Sequence, residues 1–187
     1  MVTILIREII TILINQRINL RADLTHSIHH THYKTLLHMD YKLLTRFTGA
    51  DLGHSNEVIA DFLHEHLGKY GDSKIDILMA IDYVFDPHKP GGNIILLIKE
   101  NLIIGAVVIN ETGMSKYIPE NILVYIAVHA DHRGKGIGKE LMKNAIKLTK
   151  GDMALHVESD NPAVFLYEKM GFENKYLEMR YKRKNLR

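Results

Sequence analysis

The residues best placed to do chemistry stand in one short run, His129-Ala130-Asp131-His132-Arg133-Gly134-Lys135-Gly136-Ile137-Gly138-Lys139. Its glycines alternate at positions 134, 136 and 138, so backbone can approach a ligand with no Cβ in the way. A helical pattern starts there and turns its free N–H groups and positive dipole end toward the same place. Arg133 and Lys135 add positive charge. The combination suits a phosphate or pyrophosphate. Two common phosphate loops do not fit. A Walker loop needs G-x-x-x-x-G-K-[ST], but counting from Gly134 reaches Lys139 and Glu140 where that pattern wants Gly-Lys. The dinucleotide fingerprint G-x-G-x-x-G begins with Gly134 and Gly136 and then meets Lys139 in place of its third glycine.

The elements that must carry this loop can be read on either side. Before it stands the apolar run Ile122 to Val128, a buried strand. After it, Leu141, Met142, Ala145, Ile146 and Leu148 mark one stripe of a helix. Further upstream, Ile94 to Ile98 and Leu102 to Ile109 flank a tight turn at Lys99, Glu100 and Asn101, which predicts a hairpin. Two helices are expected earlier. One runs from Ser55 to Leu67, with Ser55 or Asn56 as cap, and the other from Ile75 to Phe85. Lys42 to Phe47 is a short strand candidate, Ala154 to Val157 another, and Tyr176 to Tyr181 a closing strand. Asn161 and Pro162 open a last helix that stops near Gly171. Strands and helices are mixed, with an antiparallel hairpin first and a strand–helix–strand unit later. That is an α/β or α+β sheet flanked by helices.

The pattern that does fit the loop is R-x-x-G-x-G, met by Arg133, Gly136 and Gly138. About 25 residues further on comes Glu158-Ser159-Asp160-Asn161-Pro162-Ala163-Val164-Phe165-Leu166-Tyr167-Glu168-Lys169-Met170-Gly171-Phe172. It holds an asparagine before a helix, a tyrosine six residues later, and then Gly-Phe. Each feature alone has a bland reading: a surface turn, a helix cap, a core aromatic. In this order and at this distance they resemble the GNAT superfamily of acyl-CoA-dependent N-acyltransferases, over roughly Met39 to Lys182.

That resemblance implies the GNAT fold: a central mixed, mostly antiparallel sheet with splayed strands at the coenzyme A site. It also implies an acetyl-CoA-dependent N-acetyltransferase acting on a primary amine of a small molecule or peptide. By the same resemblance, backbone groups of Ile126 and Val128 face the pantetheine arm and the thioester carbonyl. Arg133, Gly134, Lys135, Gly136, Ile137, Gly138 and Lys139 hold the pyrophosphate, chiefly through main-chain N–H groups. Asn161 contacts the pantetheine, and Tyr167 sits near the sulfur as general acid. The chemistry agrees with such roles. Thioester aminolysis passes through a tetrahedral oxyanion that a fixed N–H can stabilise, and a phenol is a suitable acid for a departing thiolate. Many relatives place a glutamate on the strand before the loop. Here that stretch has no acidic residue, and Tyr125 stands about where the carboxylate would be. Glu111, Glu120 and His129 are other candidates, and the base stays unassigned. The missing carboxylate keeps a second reading open, a non-catalytic acyl-CoA sensor or scaffold.

Composition sets the outer limits. The chain has 187 residues, 46% hydrophobic and 25% charged, and its 24 basic against 22 acidic side chains leave a formal net charge of +2. That is an ordinary globular balance, and it demands neither nucleic acid nor an anionic membrane as partner. There is no cysteine. An acyl-cysteine relay is therefore impossible, and direct transfer in a ternary complex is expected. Residues 1–38 hold neither glycine nor proline and read as an N-terminal extension before a domain of residues 39–187. Met1 to Leu20 is rich in Ile and Leu, but Arg7, Glu8 and Arg17 interrupt it, so neither a spanning helix nor an export signal is expected and the protein reads as cytoplasmic. Such an apolar segment should bury against the domain or in a homodimer contact. His26, His29, His30, His32 and His38 cluster at its end. They have no cysteine beside them to complete a typical site, and no functional metal is expected. By the resemblance, the acceptor pocket is built from roughly Ser55 to Pro90 and Thr112 to Pro119, whose His64, Glu65, His66, Asp76 and Asp82 could steer a cationic amine.

Overall fold

A computed structural model describes residues 39–182. The expected extension, its histidine patch and residues 183–187 lie outside the described residues. Five strands form one sheet in chain order: β1 (Met39–Leu44), β2 (Gly92–Lys99), β3 (Leu102–Glu111), β4 (Asn121–Val128) and β5 (Met153–Leu155). The first three pairings are antiparallel and β4–β5 is parallel. The expected mixed, mostly antiparallel sheet is therefore present. Among the described residues, four helices flank the sheet: α1 (Asn56–Leu67), α2 (Lys74–Phe85), α3 (Ile137–Leu148) and α4 (Val164–Lys169).

Alternation along the strands assigns each helix to a face. Ile94, Leu96, Ala106, Val108 and Tyr125 pack with Ile59 and Leu63 of α1 and Ile77 and Ile81 of α2. Ile95, Leu97, Val107 and Ile109 pack with Leu141, Met142 and Ala145 of α3. Both faces are covered, which is why β2 and β3 read as unbroken apolar runs. Ser55 caps α1, its hydroxyl accepting from the Val58 N–H, and Ser73 caps α2 through the Asp76 N–H. The β2–β3 turn is two residues long, with Glu100 and Asn101 both left-handed, as a hairpin matched to strand twist requires. Gly105 on β3 brings α3 close to the sheet. A Cβ there would stand 2.7 Å from Leu141 Cδ1, so the helix that opens at the glycine loop is seated on bare backbone.

The edges differ from expectation. β1 begins and ends three residues early because Thr45 to Thr48 forms a turn, with the Thr45 N–H bonded to Thr48 Oγ1 at 2.8 Å. The expected closing strand Tyr176 to Tyr181 is irregular, and Tyr176, Leu177, Met179 and Tyr181 are exposed. Its alternating pattern resembles a strand, but strand β5 beside it has only three residues and offers too short an edge to pair with. Among the described residues, no helix is long and apolar enough to cross a membrane.

Candidate acyl-CoA site

The site begins where two strands part. Parallel pairing of β4 with β5 lasts from Asn121↔Met153 to Leu123↔Leu155 and then stops. The register with β3 slips between Val108↔Tyr125 and Ile109↔Leu123, leaving Val124 as a bulge at that point. Beyond it, β4 runs on against β3 alone. The His129 N–H bonds the Ile104 carbonyl at 2.9 Å, which makes that pair a hydrogen-bonded one. Antiparallel alternation then turns the N–H and C=O groups of Ile126 and Val128 away from β3 and into the gap. The two residues expected to present backbone to an extended ligand are thus the two whose polar groups the ladder leaves free.

The glycine loop lies at the end of that gap. A short 3₁₀ turn, Ala130–His132, leads into it. Gly134 and Gly136 are left-handed, at φ 72° and 81°, and a Cβ on either would meet nothing within 4 Å. These two glycines are needed for backbone conformation, and the space above them is open. Gly138 has ordinary φ. Its Cβ would sit 3.4 Å from Leu166 Cδ2 and 3.8 Å from Val128 Cγ2, so loop, β4 and α4 converge there. The first-turn amides of α3 have no intrahelical acceptor and face the same opening. Arg133 is placed differently from its expected charge role. Its Nε donates to the Val128 carbonyl at 3.1 Å, its guanidinium reaches the His66 carbonyl at 2.5 Å, and its own N–H bonds Ala130. Arg133 braces the loop against β4 and α1, and the free amides start at Gly134. Lys135 Nζ is also folded back, onto the Asp131 carbonyl at 2.8 Å. A cavity of about 390 Å³ borders the loop, lined by Glu65, His66, Lys69, Tyr70, Ala130 and Arg133.

The second motif closes the other side. The Asn161 side-chain oxygen accepts from the Ala163 N–H at 2.9 Å, so Asn161 shapes the turn into α4 rather than capping the helix directly. Tyr167 is 8% exposed and packs edge-on to Phe172, with ring centroids 6.1 Å apart. Burial pushes its hydroxyl up to about 12, and no protein group among the described residues takes it. The proposed bases separate clearly. Glu120 accepts from the Asp152 N–H at 2.8 Å at the start of β4, the opposite end from the loop. Glu111 ends β3 beside that same end. Tyr125 is buried, and its hydroxyl donates to Asp72 Oδ2 at 2.7 Å, where burial and the carboxylate keep the phenol protonated. Sequence reasoning passed over Asp72, because nothing in Gly71-Asp72-Ser73 distinguishes it from a residue before a helix. Among the described residues, no group of His, Asp and Glu is arranged to hold a metal.

His129 belongs to a stack rather than a catalytic pair. Its ring lies 4.4 Å from that of His66 and 5.7 Å from that of His132. Burial, then the neighbouring His129, holds His66 below the usual 6.5, and burial, then Lys135, does the same for His132. Glu65 and Asp131 oppose the shifts without overcoming them. Unfolded imidazoles therefore bind protons that folded ones refuse, and stability is lost as pH falls below about 6.5. The thermal midpoint should drop between about pH 7.5 and 5.5, before carboxylates titrate. His66→Phe, which keeps the carbonyl that holds Arg133, should flatten that decline. An unchanged slope in the variant would clear His66 of the effect.

Comparison with known proteins places this geometry. Residues 90–174 match the model of the acetyltransferase (GNAT) domain. No curated protein matches the chain. Among solved structures, an aminoglycoside N-acetyltransferase in complex with CoA aligns at a TM-score of 0.57 and 15% identity, over 79% of this chain and 95% of that one. The ribosomal-protein-alanine N-acetyltransferase of Brucella melitensis biovar Abortus 2308 aligns at 0.52 and 16% identity, over 77% and 98%. A Bacillus halodurans C-125 structure described as a transcriptional regulator aligns at 0.56 and 19% identity, over 76% and 99%. At these identities the structures speak for the fold alone, and residues 90–174, a little under half of the chain, match a GNAT acetyltransferase domain.

Proposed function

We propose that this protein moves the acetyl group of acetyl-CoA to a primary amine by direct attack within a ternary complex. The observation that carries the reading is the open backbone: Ile126 and Val128 point polar groups into the β4–β5 gap, and the free amides from Gly134 to Lys139 lie at its end. An extended amide-bearing arm fits the first as an added strand, and a pyrophosphate fits the second. When bound, acetyl-CoA supplies an activated acetyl group. The protein's residues supply the rest. The Ile126 backbone orients the acyl carbonyl and offers an N–H to the charge that develops on its oxygen. Asn161 holds the turn at the gap's far side, with its amide nitrogen available to the arm. Tyr167 retains its proton through neutral pH because it is buried. A thiolate leaving beside it would be made more basic by the same burial, and is the group to which the phenol gives its proton. With no cysteine in the chain, no thiol can carry the acetyl group between donor and acceptor. The aminoglycoside and ribosomal-protein enzymes among the structural neighbours favour an amine acceptor, small or peptidic.

The reading is tested by CoA release from acetyl-CoA with kanamycin, spermidine or a peptide bearing a free N-terminal alanine. Amine-dependent release supports it, and tight CoA binding with no release to any amine favours the sensor alternative. Tyr167→Phe keeps the ring packing, so kcat should fall about 10²–10⁴-fold with little change in the KM for acetyl-CoA. Activity within twofold of the parent protein would reduce Tyr167 to a core aromatic. Gly138→Glu should abolish CoA binding in a folded protein, because its carboxylate enters the pyrophosphate position. It is a cleaner probe than Gly136→Glu, which adds about 1–2 kcal/mol of left-handed backbone strain. Calorimetric titration reads the outcome, and unchanged affinity in Gly138→Glu would overturn the loop's assignment.

A further inference from the structure

β4 lacks an acidic side chain, yet a carboxylate reaches it from elsewhere in the fold. Between α1 and α2 the chain runs through a 3₁₀ turn, Gly68–Tyr70, to Asp72. This segment is pinned on both sides of the β4–β5 gap. On the α4 side, Lys69 Nζ meets Asp160 Oδ2 at 2.9 Å, and the Tyr70 hydroxyl donates to the Asp160 carbonyl at 3.0 Å. On the β4 side, Tyr125 holds Asp72 at 2.7 Å. The exposed Lys69–Asp160 pair is worth little alone, but with the other two bonds it fixes the segment as a strap across the gap. Tyr125 is the first β4 residue past the bulge and adjoins Ile126, whose backbone opens into the gap. Its side chain points to the α1–α2 face, opposite the α3–α4 face on which Tyr167 packs.

We propose that Asp72, positioned by Tyr125, is the catalytic base that takes the proton from the incoming ammonium, in place of a carboxylate on β4 itself. The proposal rests on the amine acetyltransferase reading above. Tyr125 uses only Oδ2, and among the described residues no side chain occupies Oδ1. Oδ1 receives one proton from the acceptor ammonium and passes it to water. The freed nitrogen lone pair forms the C–N bond while the C–S bond breaks. Tyr167 protonates the leaving sulfur, and the second nitrogen proton returns through solvent to Tyr167. One acetyl group moves and one proton is released overall. Tyr125 is a positioning residue: its phenol stays protonated and serves as a donor to the carboxylate, so it is not itself the base. The charged groups that face the pair are Asp76 from α2, which favours a cation there, and Arg180 from the C-terminal segment, which also lies within electrostatic reach of Asp72.

The test uses the full chain and whichever of kanamycin, spermidine or the alanine peptide releases CoA fastest. Asp72→Asn should lower kcat about 10²–10⁴-fold at pH 7. CoA affinity and the thermal midpoint should stay near those of the parent. The residual rate should climb steeply with pH, as solvent deprotonates the amine in place of Asp72. Asp72→Glu should recover part of the loss, and Tyr125→Phe should lower kcat by less than Asp72→Asn. Asp72→Asn that keeps kcat within threefold, or that raises only the amine KM, would overturn the proposal. Should Asp72→Asn fail to fold, a normal kcat in Tyr125→Phe would overturn it instead. If none of the three amines makes the parent protein release CoA, the broader function falls and this base with it. A parent that turns over beside an indifferent Asp72→Asn removes the base alone.

Discussion

The proposed acyl-CoA slot depends on β4 losing one neighbour while keeping the other. Three residues of parallel pairing with β5 hold the strand in the sheet, and after Leu123↔Leu155 the ladder ends. Backbone N–H and C=O groups left without partners inside a protein are costly, so they must meet water or a ligand. Here they are the N–H and C=O of Ile126 and the N–H of Val128, whose carbonyl Arg133 takes, and they face the gap beside β4. The bulge at Val124 belongs to the same event, since an extra residue bends and twists the strand away from its partner.

The remaining parts hold that slot open and furnish its ends. Gly105 lets α3 settle directly on the sheet, which aims the helix's first-turn amides at the slot's mouth. Arg133 spends its guanidinium on two carbonyls, those of Val128 and His66, and so couples the loop to the strand and to α1. In the proposed site an anion would then meet glycine backbone and the helix end first, with that guanidinium already bonded to carbonyls. On the opposite side, Tyr167 is buried deeply enough to stay protonated. The strap from Gly68 to Asp72 joins the two walls.

The backbone half of the candidate site is written in local sequence patterns. The alternating glycines, the apolar run before them and the Asn161–Tyr167 spacing are local patterns, and local patterns survive in one dimension. The sheet's core was legible for the same reason, because two-sided burial leaves continuous runs such as Ile94 to Ile98. Three features were not legible. Arg133 reads as a phosphate ligand in sequence, and only its contact with His66, 67 residues away, gives it a bracing role. Asp72 has no motif around it, and its meeting with Tyr125 spans 53 residues. The alternation of Tyr176 to Tyr181 satisfies the strand pattern, but pairing needs an edge, and β5 is too short to supply one.

The central claim is that one slot, made by β4 backbone and the glycine loop, holds acyl-CoA. Hydrogen exchange of the full chain with and without CoA tests it most directly, because the groups at issue are main-chain amides. Slowed exchange is expected at Ile126 and Val128 and from Gly134 to Lys139, with little change in β1 or at the β2–β3 turn. Binding of CoA that leaves those amides exchanging as before, with protection elsewhere in the fold, would contradict it.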